Sequence, residues 1–389
     1  MPSVRTTLLP WLLGSLSLAL APIPDTPAPR AAAPALPTEL RWSVAIAAHP
    51  TVSPVIAGER VFVALDTGVV SSHRLADGTE EWRSDIKAEQ PLVVDDGRLL
   101  IASGEAIHAL AVDSARVLWR APAGTLTAPP LAQDGWVIAA TSGTLTAFRS
   151  ADGSKVWARA SGPQRVRPTI EGNNLYVPLD DGRLLALDLR TGATRWERRF
   201  PVTSHIGSGS IAVSEVLAYP DRIFAGASDG RFYCLRADDG SLAWRFRVGA
   251  ILRGSPVGAG DRIFIATMDN VVRAFDRQNG ALLWHPTLPF RPAGPVMLGG
   301  LVLVPGTASE VRSFDTAGKP AGHIKLDESL VVPPAFAESS GGAVMAAVSG
   351  SLNGEWKLLL MEEARGVPLV PLTVMPGVTV PVDLPAPPG

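Results

Sequence analysis

Tryptophan closes a recurring phrase along this chain, at Trp42, Trp82, Trp119, Trp157, Trp196, Trp244 and Trp284. The spacing is about forty residues, with one longer gap before Trp244. Six phrases read SSHRLADGTEEW, HALAVDSARVLW, TAFRSADGSKVW, LALDLRTGATRW, YCLRADDGSLAW and RAFDRQNGALLW. A further copy, RSFDTAGKPAGH, ends on His323 where the others have Trp. Each period opens on a Pro step (Pro54, Pro129, Pro168, Pro256) and runs through a β-rich stretch such as 60–65 (RVFVAL) or 262–267 (RIFIAT). A tight turn follows, as at Asp181-Gly182, Asp229-Gly230 and Asp269-Asn270, then a third strand, a second turn and the Trp strand. Short apolar runs punctuated in this way read as antiparallel hairpins, because the turns require a positive φ that Gly and Asn adopt most readily.

Four strands per period make a sheet with two apolar faces, which a single sheet cannot bury. Radial stacking covers both faces and leaves only short edges. The chain is therefore expected to be all-β, a β-propeller of four-stranded antiparallel blades. The seven tryptophans are expected to fill the gaps between neighbouring sheets as core residues rather than as ligand platforms. Seven phrases lie between Trp42 and His323. Beyond them, 329–379 still holds strand-like runs at 343–348, 356–361 and 367–374, read as a degenerate eighth blade. Residues 39–46 (ELRWSVAI) have the form of a last strand without a blade of their own, so they are expected to complete the C-terminal blade and close the ring. Eight blades is the expected count, with seven the alternative.

Before the propeller, Arg5 and the apolar run 8–21 have the pattern of an export signal removed near Ala21. That run is short for a membrane span, which takes about 20 apolar residues, although an uncleaved anchor is the alternative. Residues 22–38, rich in Pro and Ala, read as a linker, 39–376 as the propeller and 377–389 as a Pro-rich tail. The expected location is the periplasm or the exterior. No Cys follows the leader, so lipid anchoring as a lipoprotein is not expected. A net charge of −2 gives no reason to expect nucleic acid as a partner, and a monomer is expected. Cys234 is the one cysteine, which excludes an internal disulfide and a Cys-based zinc site. It is read as a small buried apolar residue. The six histidines show no ligand spacing, and no nucleophile elbow, phosphate loop or zinc helix motif is present. The paired acids Asp95-Asp96, Asp180-Asp181 and Asp238-Asp239 fall in repeat turns, where Asp is a turn former.

The phrase 181–196, DGRLLALDLRTGATRW, resembles the repeat of PQQ-type propellers, and the resemblance runs from residue 39 to about 376. Two branches of that class point in different directions. The quinoprotein dehydrogenases carry a vicinal Cys pair over the quinone and a calcium site, and this chain has no Cys-Cys. The other branch, the BamB family of outer-membrane barrel assembly, has no catalytic role. Residues 250–256 (AILRGSP), leading into the sixth blade, resemble the L-x-L-R-G loop through which that family contacts its barrel partner, with Leu252 and Arg253 at the matching positions. The loop 285–295 lacks the acidic pair expected there. The resemblance implies a non-catalytic envelope scaffold that binds a protein partner, with no catalytic residues, no cofactor and no metal. The alternative is a quinone-dependent dehydrogenase, or a propeller that binds a quinone or small anion.

One constellation stands out from the residues themselves. Loops preceding successive inner strands converge on one face of a propeller. Aligned on Pro54, Pro91, Pro129, Pro168, Pro256, Pro295 and Pro333, they carry Arg165, Arg167, Arg253 and Arg291, with His49 and His205, against Glu89 and Glu328. Arginines gathered there suit a carboxylate or an acidic peptide, because the guanidinium fork matches carboxylate geometry. Leu252, Arg253, Arg165, Arg167 and Arg291 are therefore the candidate partner-binding residues.

Overall fold

The computed structural model describes residues 36–202, 213–306, 309–339, 342–350 and 354–363. The expected leader, most of the expected linker, His205, the run at 367–374 and the expected C-terminal tail lie outside the described residues. Among the described residues thirty-two strands form eight four-stranded antiparallel sheets, so the protein is an eight-bladed propeller. Blades 1 to 7 occupy 55–84, 93–122, 131–160, 169–199, 217–247, 252–284 and 296–325. Within each, chain order is also spatial order, and the first strands of neighbouring blades approach one another around the axis.

Blade 8 is built differently. Ala335–Ser339, Gly342–Gly350 and Trp356–Glu363 supply three strands, and Pro37–Ile46 from the other end of the chain supplies the outermost. That strand pairs along its length with Trp356–Glu363, from Pro37 opposite Glu363 to Ile46 opposite Trp356. The ring is closed by the N-terminal strand, as its orphaned sequence suggested.

Eight clusters of buried apolar residues lie one between each pair of adjacent blades. The second strand of each blade is buried on both faces. Val61 to Ala64, Leu99 to Ile101 and Val302 to Val304 are each fully covered, and a Phe or Leu buried in this way contributes about 1.5–3 kcal/mol.

The tryptophans form the seams. Each indole N–H donates to a backbone carbonyl at the last turn of the next blade. The pairs are Trp42 to Leu75, Trp82 to Val112, Trp119 to Ser150, Trp157 to Leu189, Trp196 to Ala237, Trp244 to Arg277 and Trp284 to Thr316, all at 2.9–3.1 Å. The ring then lies flat over the glycine of that turn, as Trp119 does over Gly153. Six of the seven turns have Gly at this point, and blade 2 has Ala115, held at φ 56°.

The seam between blades 7 and 8 departs from this scheme and corrects one sequence reading. The residue in the Trp position of blade 7 is Gly322, not His323. Ser313 pairs with Gly322, as Ala147 pairs with Trp157, because the preceding turn is one residue shorter. Leu36 fills the space: a Cβ on Gly322 would lie 2.8 Å from Leu36 Cδ1. The lost Trp has a physical reason. The third and outer strands of blade 8 come from opposite ends of the chain, so no turn joins them for an indole to cap.

Candidate functional site

The loops leading into blades 4, 5 and 6 enclose a cavity of about 410 Å³ on the face the arginine pattern singled out. Arg165, Arg167, Leu252 and Arg253 all line it, beside Val166, Ser214, Glu215, Ile251, Ser255 and Met268. Arg291 sits on the loop leading into blade 7, exposed and outside this lining. The other residues of the expected ring serve local structure. His49 meets Trp356 edge-on at 4.8 Å, Glu89 accepts the Gly104 N–H, and Glu328 accepts from Ser349 and Lys357.

The inner strand of blade 6 makes the cavity wall. It starts early, as Leu252–Ala259, with Leu252 opposite Thr267 and Arg253 opposite Ala266. The register then breaks before Val257. Gly254 sits in that irregularity at φ 66°, and a Cβ on it would lie 2.8 Å from the Gly294 Cα of the neighbouring loop. Only glycine meets both demands, which accounts for the Gly after Leu252-Arg253. Leu252 is not a free loop side chain. It is half-buried over Gly226 of blade 5, where a Cβ would come within 2.6 Å of its Cδ1.

The charges are unequally satisfied. Arg165 donates to Asp180 at 2.8 Å, so one of the paired turn acids holds a site residue in place. Arg167 faces Glu215 at 3.6 Å, and the Ser255 hydroxyl donates to the same carboxylate. Among the described residues, no side-chain hydrogen bond or ion pair holds the Arg253 guanidinium, although the residue is half-buried. Burial pushes the Glu215 carboxyl above its usual range, against the opposing pull of Arg167.

Glu215 was missed in the sequence because blade 5 has no Pro at its inner strand. Counting back from the second strand, Val216 takes the place of Pro54, Pro168, Pro256 and Pro295, which puts Glu215 in register with Arg167 and Ser255. That count was the available signal. Among the described residues, no three His, Cys, Asp or Glu side chains gather as a metal group would require. Cys234 is fully buried in the third strand of blade 5.

The profile of the PQQ-repeat family described as "Outer membrane protein assembly factor BamB" matches residues 66–218 and 209–329, well over half of the sequence. The chain belongs to this family. The BamB of Burkholderia pseudomallei is 27% identical over 293 residues, covering 70% of this chain and 75% of that protein. The crystal structure of BamB from Moraxella catarrhalis superposes with a TM-score of 0.66 at 18% identity, covering 82% of this chain and 98% of that one. The quinohemoprotein alcohol dehydrogenase of Pseudomonas putida reaches a TM-score of 0.63 at 12% identity, covering 90% and 78% respectively. Likeness at that identity shows the fold alone.

Proposed function

We propose that this BamB-family propeller is a non-catalytic scaffold of the cell envelope. In this reading it binds a protein partner in outer-membrane protein assembly, on the face formed by the loops leading into blades 4 to 6. The observation that carries the reading is the position of Leu252-Arg253-Gly254, the segment resembling the family's contact loop. It forms the wall of the cavity that also gathers Arg165 and Arg167. Recognition elements are commonly loops held on a rigid scaffold, and Arg beside an apolar anchor is a frequent hot-spot pairing. The leader at 8–21 supports export, and the described residues include no helix long and apolar enough to cross a membrane.

The test is binding to purified barrel-assembly protein from the same envelope. The double variant Leu252→Ala, Arg253→Glu should weaken binding by about 2 kcal/mol or more. Leu252 packs on Gly226, so its truncation also costs stability, about 1–2 kcal/mol for a half-buried Leu, which urea unfolding measures separately. The control double, Lys155→Glu with Arg195→Glu, lies at the start of the outer strands of blades 3 and 4, at the other end of the sheets. Equal effects of the two doubles would remove the face assignment. Protein-dependent dye reduction with added PQQ, calcium and an alcohol panel would overturn the non-catalytic reading.

A further inference from the structure

The charge balance of the cavity specifies more than a basic surface. Arg165 is matched by Asp180 and Arg167 by Glu215, which leaves Arg253 as the uncompensated charge among the described lining residues. Among the described residues the excess is one positive charge. A dianion or an acidic run would place surplus negative charge against Glu215 and Asp180, and like charges at such distances repel. The rest of the wall is mostly apolar, with Ile251, Leu252, Val166, Ala227 and the 40% exposed Met268, while the Ser214 and Ser255 hydroxyls are taken up by Glu215 and the Gly226 N–H. An exposed methionine lining the same cavity as a half-buried guanidinium that is unpaired among the described residues leaves both groups short of partners there. The cavity volume lies within the range of small-ligand sites.

We propose that this cavity binds one carboxylate carried on a compact apolar body, with Arg253 as its principal contact and Glu215 as a resident competitor for Arg167. The inference rests on the reading of this face as the recognition face and names the chemistry that the face accepts. Arg253 presents its planar fork to the ligand carboxylate, and the apolar body covers Leu252 and Met268. Arg167 is free to add a second contact only when it turns from Glu215, which Ser255 holds in place. Glu215 therefore sets how tightly an incoming carboxylate is held without touching its apolar part.

The experiment uses the whole protein and saturation-transfer NMR, which reads weak binding. N-acetyl-leucine and hexanoate are the probes, with N-acetyl-leucinamide and inorganic phosphate as comparators. Both acids should bind, with the amide and phosphate at least tenfold weaker. Tighter binding of N-acetyl-leucine assigns the site to a peptide's carboxyl end, and tighter binding of hexanoate assigns it to a free acid. Arg253→Gln should weaken the acids at least tenfold, whereas Glu215→Gln should tighten them severalfold. Equal binding of acid and amide to the unaltered protein overturns the proposal, and that arm needs no variant to fold. Tighter phosphate than acid binding overturns it as well, as does a folded Glu215→Gln protein with unchanged or weaker acid binding. If the Leu252/Arg253 double still loses the assembly protein while acid and amide bind alike, the docking face stands and this inference falls.

Discussion

Replacing Gly153 with Ala tests whether the indole seams hold the ring together. Gly153 sits at φ 70°, and a Cβ placed on it would lie 2.6 Å from Cε3 and 2.8 Å from Cδ2 of Trp119. Holding Ala in that left-handed conformation costs about 1–2 kcal/mol. Forcing the indole away adds about 1–3 kcal/mol, the usual range for overpacking. The reduced freedom of the unfolded chain returns about 0.4–1 kcal/mol. The expected net loss is about 1–5 kcal/mol, read as a lower urea midpoint with unchanged slope by far-UV circular dichroism. The protein contains its own comparison. Ala115 already occupies the same turn position beneath Trp82, which is less buried than Trp119. There the indole has settled around a methyl group, so Ala115→Gly should change stability by less than about 1 kcal/mol, as strain relief and added chain entropy oppose each other. A shift below about 1 kcal/mol for Gly153→Ala would refute the reasoning, because the seam would then yield without resistance.

Three further outcomes follow from the same structure. Leu36→Ala should destabilise by about 2 kcal/mol or more, the low end for a buried Leu, since Leu36 occupies the Trp place at the seam of blades 7 and 8. Urea unfolding of the variant checks it. Burial pushes the Cys234 thiol up to about 12, so the native protein should resist thiol alkylation at pH 8 and react only when unfolded. Burial also depresses the His73 imidazole, whose ring bonds Ser71 and the Gly78 carbonyl in its neutral form. The unfolded chain takes up the proton first. The stabilisation is therefore complete above the ordinary imidazole value of about 6.5 and is lost as pH falls through the lower folded value. Unfolding midpoints between pH 7 and 5 should flatten in His73→Gln.

The repeats were readable because each seam needs a particular pair, an indole on one blade and a glycine turn on the next, and both are visible in one dimension. Gly322 was misread for the same reason. Alignment on Phe314 carries His323 into the Trp column, and only the paired register shows that the turn has lost a residue. The arginine face was readable from Pro alignment as far as Arg165, Arg167 and Arg253. Arg291 did not join them, because the cavity lining stops at the loop leading into blade 6 and Arg291 stands one blade further on. Glu215, the acid that decides how those arginines are satisfied, was hidden by the absence of a proline in its own blade.

The closing strand also imposes an order of events on synthesis. Arg41 and Glu362 meet at 3.1 Å although 321 positions separate them. At ribosomal rates of about 5–20 residues per second, the first strand waits roughly a quarter of a minute to a minute for its partner. Through that interval it is an unpaired edge that carries Leu40, which is 57% exposed even in the finished ring. The charges of Glu39 and Arg41 flank that leucine, the usual device for discouraging a solitary strand from joining the wrong neighbour. A nascent chain cut short anywhere before Trp356 would keep its beginning unpartnered, so this protein carries a built-in check on its own completeness.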